Sequence, residues 1–138
     1  MKKLLYLFIA TAFLISCESN ENPLSDDPIV GKWQVSSQTY NGVTESNSCS
    51  LQSTVTFTDN AQANTISFYN DENDNCVSES SSFTWENLGN TNYEIDYGDG
   101  ETEIIEITFS NNNSTFSLTT YDTYNNVTNT YTSVYNKI

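Results

Sequence analysis

The sequence predicts an all-β domain of about eight antiparallel strands in an up-and-down barrel, and three observations carry that reading. From Ile29 onward, apolar residues recur at every second position, the period of a strand with one wet face. Turn-forming residues separate those runs at short intervals. No stretch of the domain repeats apolar residues at the helical spacing of about 3.6. Connections this short imply antiparallel neighbours, and a sheet of that size is expected to close on itself, because closure removes the free edges that invite aggregation.

The first element in the chain is not part of that domain. Met1-Lys2-Lys3 is a short basic start, Leu4 to Leu14 is almost unbroken apolar sequence, and Leu14-Ile15-Ser16-Cys17 closes the segment. It is too short to span a bilayer core of about 30 Å and has the layout of a cleaved signal peptide over residues 1–16. Its last four residues resemble the lipobox of bacterial lipoproteins, which implies cleavage before Cys17, acylation of that cysteine and attachment to a membrane through it. Each acyl CH₂ buried in lipid contributes about 0.8 kcal/mol, so several chains give a stable anchor. Residues 18–28, Glu-Ser-Asn-Glu-Asn-Pro-Leu-Ser-Asp-Asp-Pro, are polar, acidic and broken by prolines, so 17–28 read as an acylated cysteine with a disordered tether. At about 3.3 Å per residue the tether reaches roughly 35 Å. Its acidic start resembles export signals of some Bacteroidetes lipoproteins. The expected location is the cell envelope, on the outer membrane, with periplasmic and surface-facing orientations both open.

Strands are expected near 31–40, 51–58, 63–69, 79–86, 91–97, 102–109, 115–121 and 128–136. Leu51, Ser53, Val55 and Phe57 alternate with Gln52, Thr54, Thr56 and Thr58, while Tyr93, Ile95 and Tyr97 alternate with Glu94 and Asp96. Ile105, Ile107 and Phe109 repeat the pattern against Glu106 and Thr108. Asn41-Gly42, Asp59-Asn60, Gly89-Asn90, Gly98-Asp99-Gly100, Asn111-Asn112-Asn113 and Asn125-Asn126 mark the turns.

Composition excludes several functions. The chain has four Lys plus Arg against eighteen Asp plus Glu and no His. Lys2 and Lys3 leave with the signal, so Lys32 and Lys137 alone face those eighteen acids, a formal −16. Such a surface repels phosphate backbones and anionic headgroups, which removes nucleic acid as a partner and leaves membrane attachment to Cys17. Without His there is no Ser-His-Asp or Cys-His nucleophile and no imidazole metal ligand. Asp96, Asp99, Glu101 and Glu103 could form carboxylate pairs, but they flank a Gly-Asp-Gly turn, where acids are usually just solvated. Asp71-x-Asn73-x-Asn75 starts like a calcium loop, yet Cys76 and Ser82 stand where that loop needs Gly and Glu. No enzyme, cofactor or metal centre is implied.

Two cysteines remain after Cys17. Cys49 precedes the second expected strand and Cys76 follows the third, at the same end of one hairpin, so a bridge in an oxidising compartment is expected. A metal pair or a reactive thiol competes with it, though no basic neighbour is present to lower a thiol pKa.

Ile29-Val30-Gly31-Lys32-Trp33 at the first strand, a cysteine before the second and another before the fourth, and Trp85 within the fourth resemble the lipocalin-like domains of Bacteroidetes lipoproteins, over residues 29–138. The resemblance implies a lipocalin-like barrel with Trp33 as a plug at one end. Lipocalins cover that Trp with an Arg from the last strand; this chain has none, and Lys137 is the residue that barrel closure brings near Trp33. A solvated Lys137 is the alternative. Gly31, Trp33 and Lys137 are therefore the expected plug. Trp85, Tyr93, Tyr97, Tyr131 and Tyr135 are the expected lining of a cavity for a small hydrophobic or aromatic ligand, and the same rings would otherwise fill the barrel themselves. The expected function is a lipid-anchored binding module, or else a structural or accessory envelope protein with a filled barrel and a protein partner. An apolar pocket above about 300 Å³ separates the two.

Overall fold

The computed structural model describes residues 24–138. The expected signal peptide, Cys17 and the tether up to residue 23 lie outside the described residues. Nine strands follow a short 3₁₀ turn at Leu24–Asp26: β1 Gly31–Tyr40, β2 Val43–Thr44, β3 Thr54–Phe57, β4 Gln62–Asn70, β5 Cys76–Gly89, β6 Asn92–Asp96, β7 Thr102–Ser110, β8 Thr115–Tyr124 and β9 Val127–Lys137. Every pairing is antiparallel, and β1 also pairs with β9, from Trp33 opposite Lys137 to Tyr40 opposite Tyr131. The result is a closed eight-stranded barrel of β1 and β3–β9. β2 is a two-residue extension that folds back on β1.

Asparagines set the tightest turns. Asn41-Gly42 and Asn125-Asn126 both have two consecutive positive φ values, 50° and 79°, then 50° and 62°. That is the type I′ geometry whose twist matches paired strands, and Asn and Gly tolerate it best. Asn111, Asn112 and Asn113 all take positive φ between β7 and β8. Thr91 does so as well, at 70°, unusual for a β-branched residue.

The structure moves some expected boundaries. The strand expected from residue 51 starts at Thr54, because Ser50–Gln52 form a 3₁₀ turn. The Asn47 side chain accepts the backbone N–H of Cys49 (2.9 Å) and of Ser50 (3.0 Å), which bends the chain there. Leu51 is accordingly not an inward strand residue. The strand expected over 79–86 runs from Cys76 to Gly89, paired with β4 along its first part and β6 along its second. Tyr97 falls in the loop after β6.

The core is off centre. Ile29, Trp33, Val55, Phe57, Ala63, Trp85, Tyr93, Ile95, Ile105, Ile107 and Phe116 form one buried cluster. Most of these positions lie toward the end where β1 begins and β9 stops. This is the closed end; the opposite one carries the longer loops and is the open end.

The candidate ligand cavity and the plug opposite it

At the closed end the chain seals itself before β1 starts. Trp33 is 0% exposed, its Nε1–H donates to the Ile29 carbonyl (2.6 Å), and its ring meets Phe116 edge-on at 4.7 Å. Lys137 lies over the indole, with Nζ 5.0 Å from the ring centroid, and donates to the Pro28 carbonyl (3.5 Å). A cation over an indole at an exposed site contributes about 0.5–1 kcal/mol. Gly31 makes this approach possible. A Cβ there would stand 2.6 Å from Lys137 Cε, and the φ of +137° is one that side chains rarely adopt. Asp27 completes the seal. Its Oδ1 accepts the Ile29 N–H (3.0 Å) and the Tyr93 hydroxyl (2.9 Å), and its Oδ2 accepts the Asn87 amide (2.5 Å). Burial and the bond to Asp27 push the Tyr93 phenol well above its ordinary value.

Above the plug the barrel holds a half-enclosed cavity of about 280 Å³. Its floor is Ile95, Ile107, Phe116 and Tyr135, the last two rings stacked at 4.6 Å and 21°. Its upper wall is more polar: Thr65 and Ser81, whose hydroxyls share a 2.7 Å hydrogen bond, with Phe83, Tyr97, Glu103 and Thr120. The Tyr97 hydroxyl donates to Glu103 Oε2 (3.3 Å). Burial first, and the Glu103 charge second, raise the Tyr97 pKa. The wall parts beside these residues. β7 pairs with β8 only from Ile107 to Ser110, so Thr102–Glu106 face β6 alone and Thr119–Tyr124 face β9 alone.

The five aromatic residues expected to line one cavity divide three ways. Tyr97 and Tyr135 line it. Trp85 and Tyr93 do not; they are 3% and 2% exposed, their rings 6.1 Å apart in the packed core. Their strand positions face inward near the closed end, where no open space remains. Trp85 Nε1 is buried without a hydrogen-bond partner. Tyr131 stands elsewhere, in a shallow groove of about 540 Å³ with Gln38, Glu45 and its cross-strand neighbour Tyr40, the two rings 4.8 Å apart. Sequence reasoning passed over Glu103 as a solvated turn acid, although it shares the inward parity of Ile105 and Ile107.

Cys49 and Cys76 form a disulfide at the open end, with Cα atoms 5.6 Å apart. The acidic loops use their carboxylates locally. Asp71 accepts the N–H of Asn73 (2.8 Å) and Asn75 (2.9 Å), and the Asn75 bond is the main reason its pKa is lowered. Asp96 and Asp99 accept the N–H of Gly98 and Glu101 in the same way. Among the described residues no three acids or cysteines converge as metal ligands.

Residues 29–114 match the family described as lipocalin-like domain. The chain belongs to that family. The match runs through β7 into the turn before β8; in this lipocalin-like chain β8 and β9 complete the ring. No curated protein matches it. Among solved structures, the lipocalin-like barrel is similar to lobster apocrustacyanin A1, at 16% identity over 86% of this chain and 65% of that one, with a TM-score of 0.50. It is also similar to the possum milk whey lipocalin trichosurin, a structure with bound 4-ethylphenol, at 10% identity, 77% and 73% coverage and a TM-score of 0.45. A third is the siderocalin Ex-FABP, described as functioning through dual ligand specificities, at 10% identity, 80% and 74% coverage and a TM-score of 0.47. At these identities the likeness is one of fold.

Proposed function

We propose that this protein is an exported lipoprotein, held on the outer membrane by acyl chains on Cys17, whose lipocalin-like barrel binds one small apolar or aromatic ligand without catalysis. The cavity carries this reading: about 280 Å³ of half-enclosed space lined by aromatic and aliphatic side chains with a few polar groups at its upper wall. The volume falls just short of the roughly 300 Å³ set above as the mark of a binding cavity, but the barrel is not filled, and the space limits the ligand to a small one. An apolar cavity of about 150 Å³ already accepts benzene, so there is room for roughly a dozen non-hydrogen atoms.

Leu24–Val30 packs across the closed end beside Trp33, opposite the cavity. Native mass spectrometry of the intact lipoprotein extracted from its own membranes tests the binding reading. A co-purifying small molecule is the expected result, and its loss in a variant with the cavity filled, Leu118→Trp, would locate it. The anchor is tested separately: Cys17→Ala should release the protein from membranes washed in high salt, and retention would overturn it.

The hairpin of β8 and β9 favours a second reading. Tyr121 and Tyr124 are each 71% exposed near its tip, beside Val127. Exposed apolar groups of this kind suit an accessory envelope protein that contacts a protein partner. A barrel that returns empty from every native preparation would favour it.

A further inference from the structure

The mouth of the cavity has one sign of charge. The inward-facing set of β7 is Glu103, Ile105, Ile107 and Phe109, three apolar residues and one carboxylate, and Glu103 pairs across the sheet with the buried Ile95. Glu103 is the exposed end of that face, at the mouth. It has no basic partner. Lys32 and Lys137, the cations among the described residues, belong to the closed end, opposite Thr56 and Trp33. The turn that joins β6 to β7 adds Asp96, Asp99 and Glu101 beside the mouth, so the local field is negative and draws cations in. Aromatic faces lie within reach of the same carboxylate. Tyr97 is hydrogen-bonded to it, and Phe83 stands 5.7 Å from Tyr97. Ring faces and a carboxylate together suit an organic ammonium.

We propose that the ligand is an aromatic amine: one ring in the apolar floor above Phe116 and Tyr135, and a protonated ammonium at the mouth, paired with Glu103 and lying on the Tyr97 ring. This rests on the binding reading above. It separates the barrel from a carrier of fatty acids or other apolar carboxylates, whose anionic group would meet Glu103 with no base to answer it. Because Glu103 is exposed, the pairing is moderate and selects by charge.

The test uses the full lipoprotein in lipid nanodiscs, titrated calorimetrically with phenethylamine, phenethyl alcohol and hydrocinnamate, with empty nanodiscs subtracted. The three share a ring and a chain and differ in charge. Phenethylamine should bind about tenfold more tightly than the alcohol, and hydrocinnamate should not bind. Glu103→Gln should weaken phenethylamine about tenfold while the alcohol stays within about twofold. Raising the salt should weaken the amine alone. If the alcohol matches the amine, or Glu103→Gln leaves the amine unchanged, the charge assignment is overturned and cavity binding stands. If none of the three binds, both fall. The salt series reads the same charge in the unmutated protein, so a Glu103→Gln variant that fails to fold does not remove the test.

Discussion

At the closed end, Trp33, Gly31, Lys137 and Asp27 are packed and hydrogen-bonded until no space remains; at the open end, strands with the same alternation enclose a cavity beside a parted wall. The difference lies in what the inward positions hold. Near the closed end they are Trp33, Phe57, Trp85 and Tyr93, large rings of which Phe57 and Trp85 meet at 5.9 Å and Trp85 and Tyr93 at 6.1 Å. Toward the open end they become Thr65, Ser81, Glu103 and Thr120, which are too short or too polar to fill the same cross-section. Packing is thus concentrated at one end and open volume at the other.

The largest expected effect breaks the closed end. Trp33→Ala removes a fully buried ring, the hydrogen bond to Ile29 and the surface under Lys137. It should cost about 3–5 kcal/mol, a large share of the roughly 5–15 kcal/mol of a whole domain. Urea melts measure this, and a loss under about 1 kcal/mol would refute the plug.

The next effect sharpens the contrast from the other side. The Cys49–Cys76 bridge spans a sequence separation of 27, for which chain-entropy arithmetic gives about 3.5 kcal/mol. Cys49→Ser with Cys76→Ser should therefore lower stability by about 2–4 kcal/mol. Hydrogen exchange distinguishes the ends in that variant. Amides of the open-end loops, Asn47–Ser53 and Asp71–Val77, should exchange faster, while Trp33 and Ile107 remain the slowest. Equal acceleration at both ends would mean that the barrel has no separate plug.

A smaller effect compares two tyrosines. Tyr93 at the closed end and Tyr97 at the open end both have raised pKa values, with desolvation the first cause in each. Tyr93 should ionise well above the ordinary phenol range in an alkaline titration followed by ultraviolet absorbance. A folded state that holds this proton while the unfolded chain releases it near pH 10 loses stability as the pH rises above about 10. Tyr93→Phe should flatten that loss and cost about 1–2 kcal/mol at neutral pH through the lost hydrogen bond to Asp27. A Tyr93 that ionises in the ordinary phenol range, near about pH 10, would show that the closed end is wet.

How far the sequence reached is clear from particular residues. The alternation of Tyr93, Ile95 and Ile105, Ile107 gave the strands, because a sheet with one buried face imposes a period of two. The Asn-Gly and Asn-Asn pairs gave the tight turns, because these residues accept positive φ at low cost. The start of β3 was misplaced, since an Asn47 side chain that captures two backbone N–H groups leaves no mark in a hydropathy pattern. The lining of the cavity was only partly legible. Parity says that Trp85, Tyr93, Tyr97 and Tyr135 can face inward, but not at what height along the barrel axis.

The sequence by itself determined the all-β class, the antiparallel order, the pairing of Cys49 with Cys76 as the natural bridge, and the exclusion of imidazole chemistry, because each follows from local periodicity or from which side chains exist. The tertiary structure decided everything that depends on strand stagger. Closure of β1 on β9 set Lys137 over Trp33 and Tyr131 beside Tyr40 at the open rim, while the register of β5, β6 and β7 put Trp85 and Tyr93 in the packed end and made Glu103 part of a cavity wall. Stagger sums small register choices around eight strands, and no single segment of the chain contains that sum.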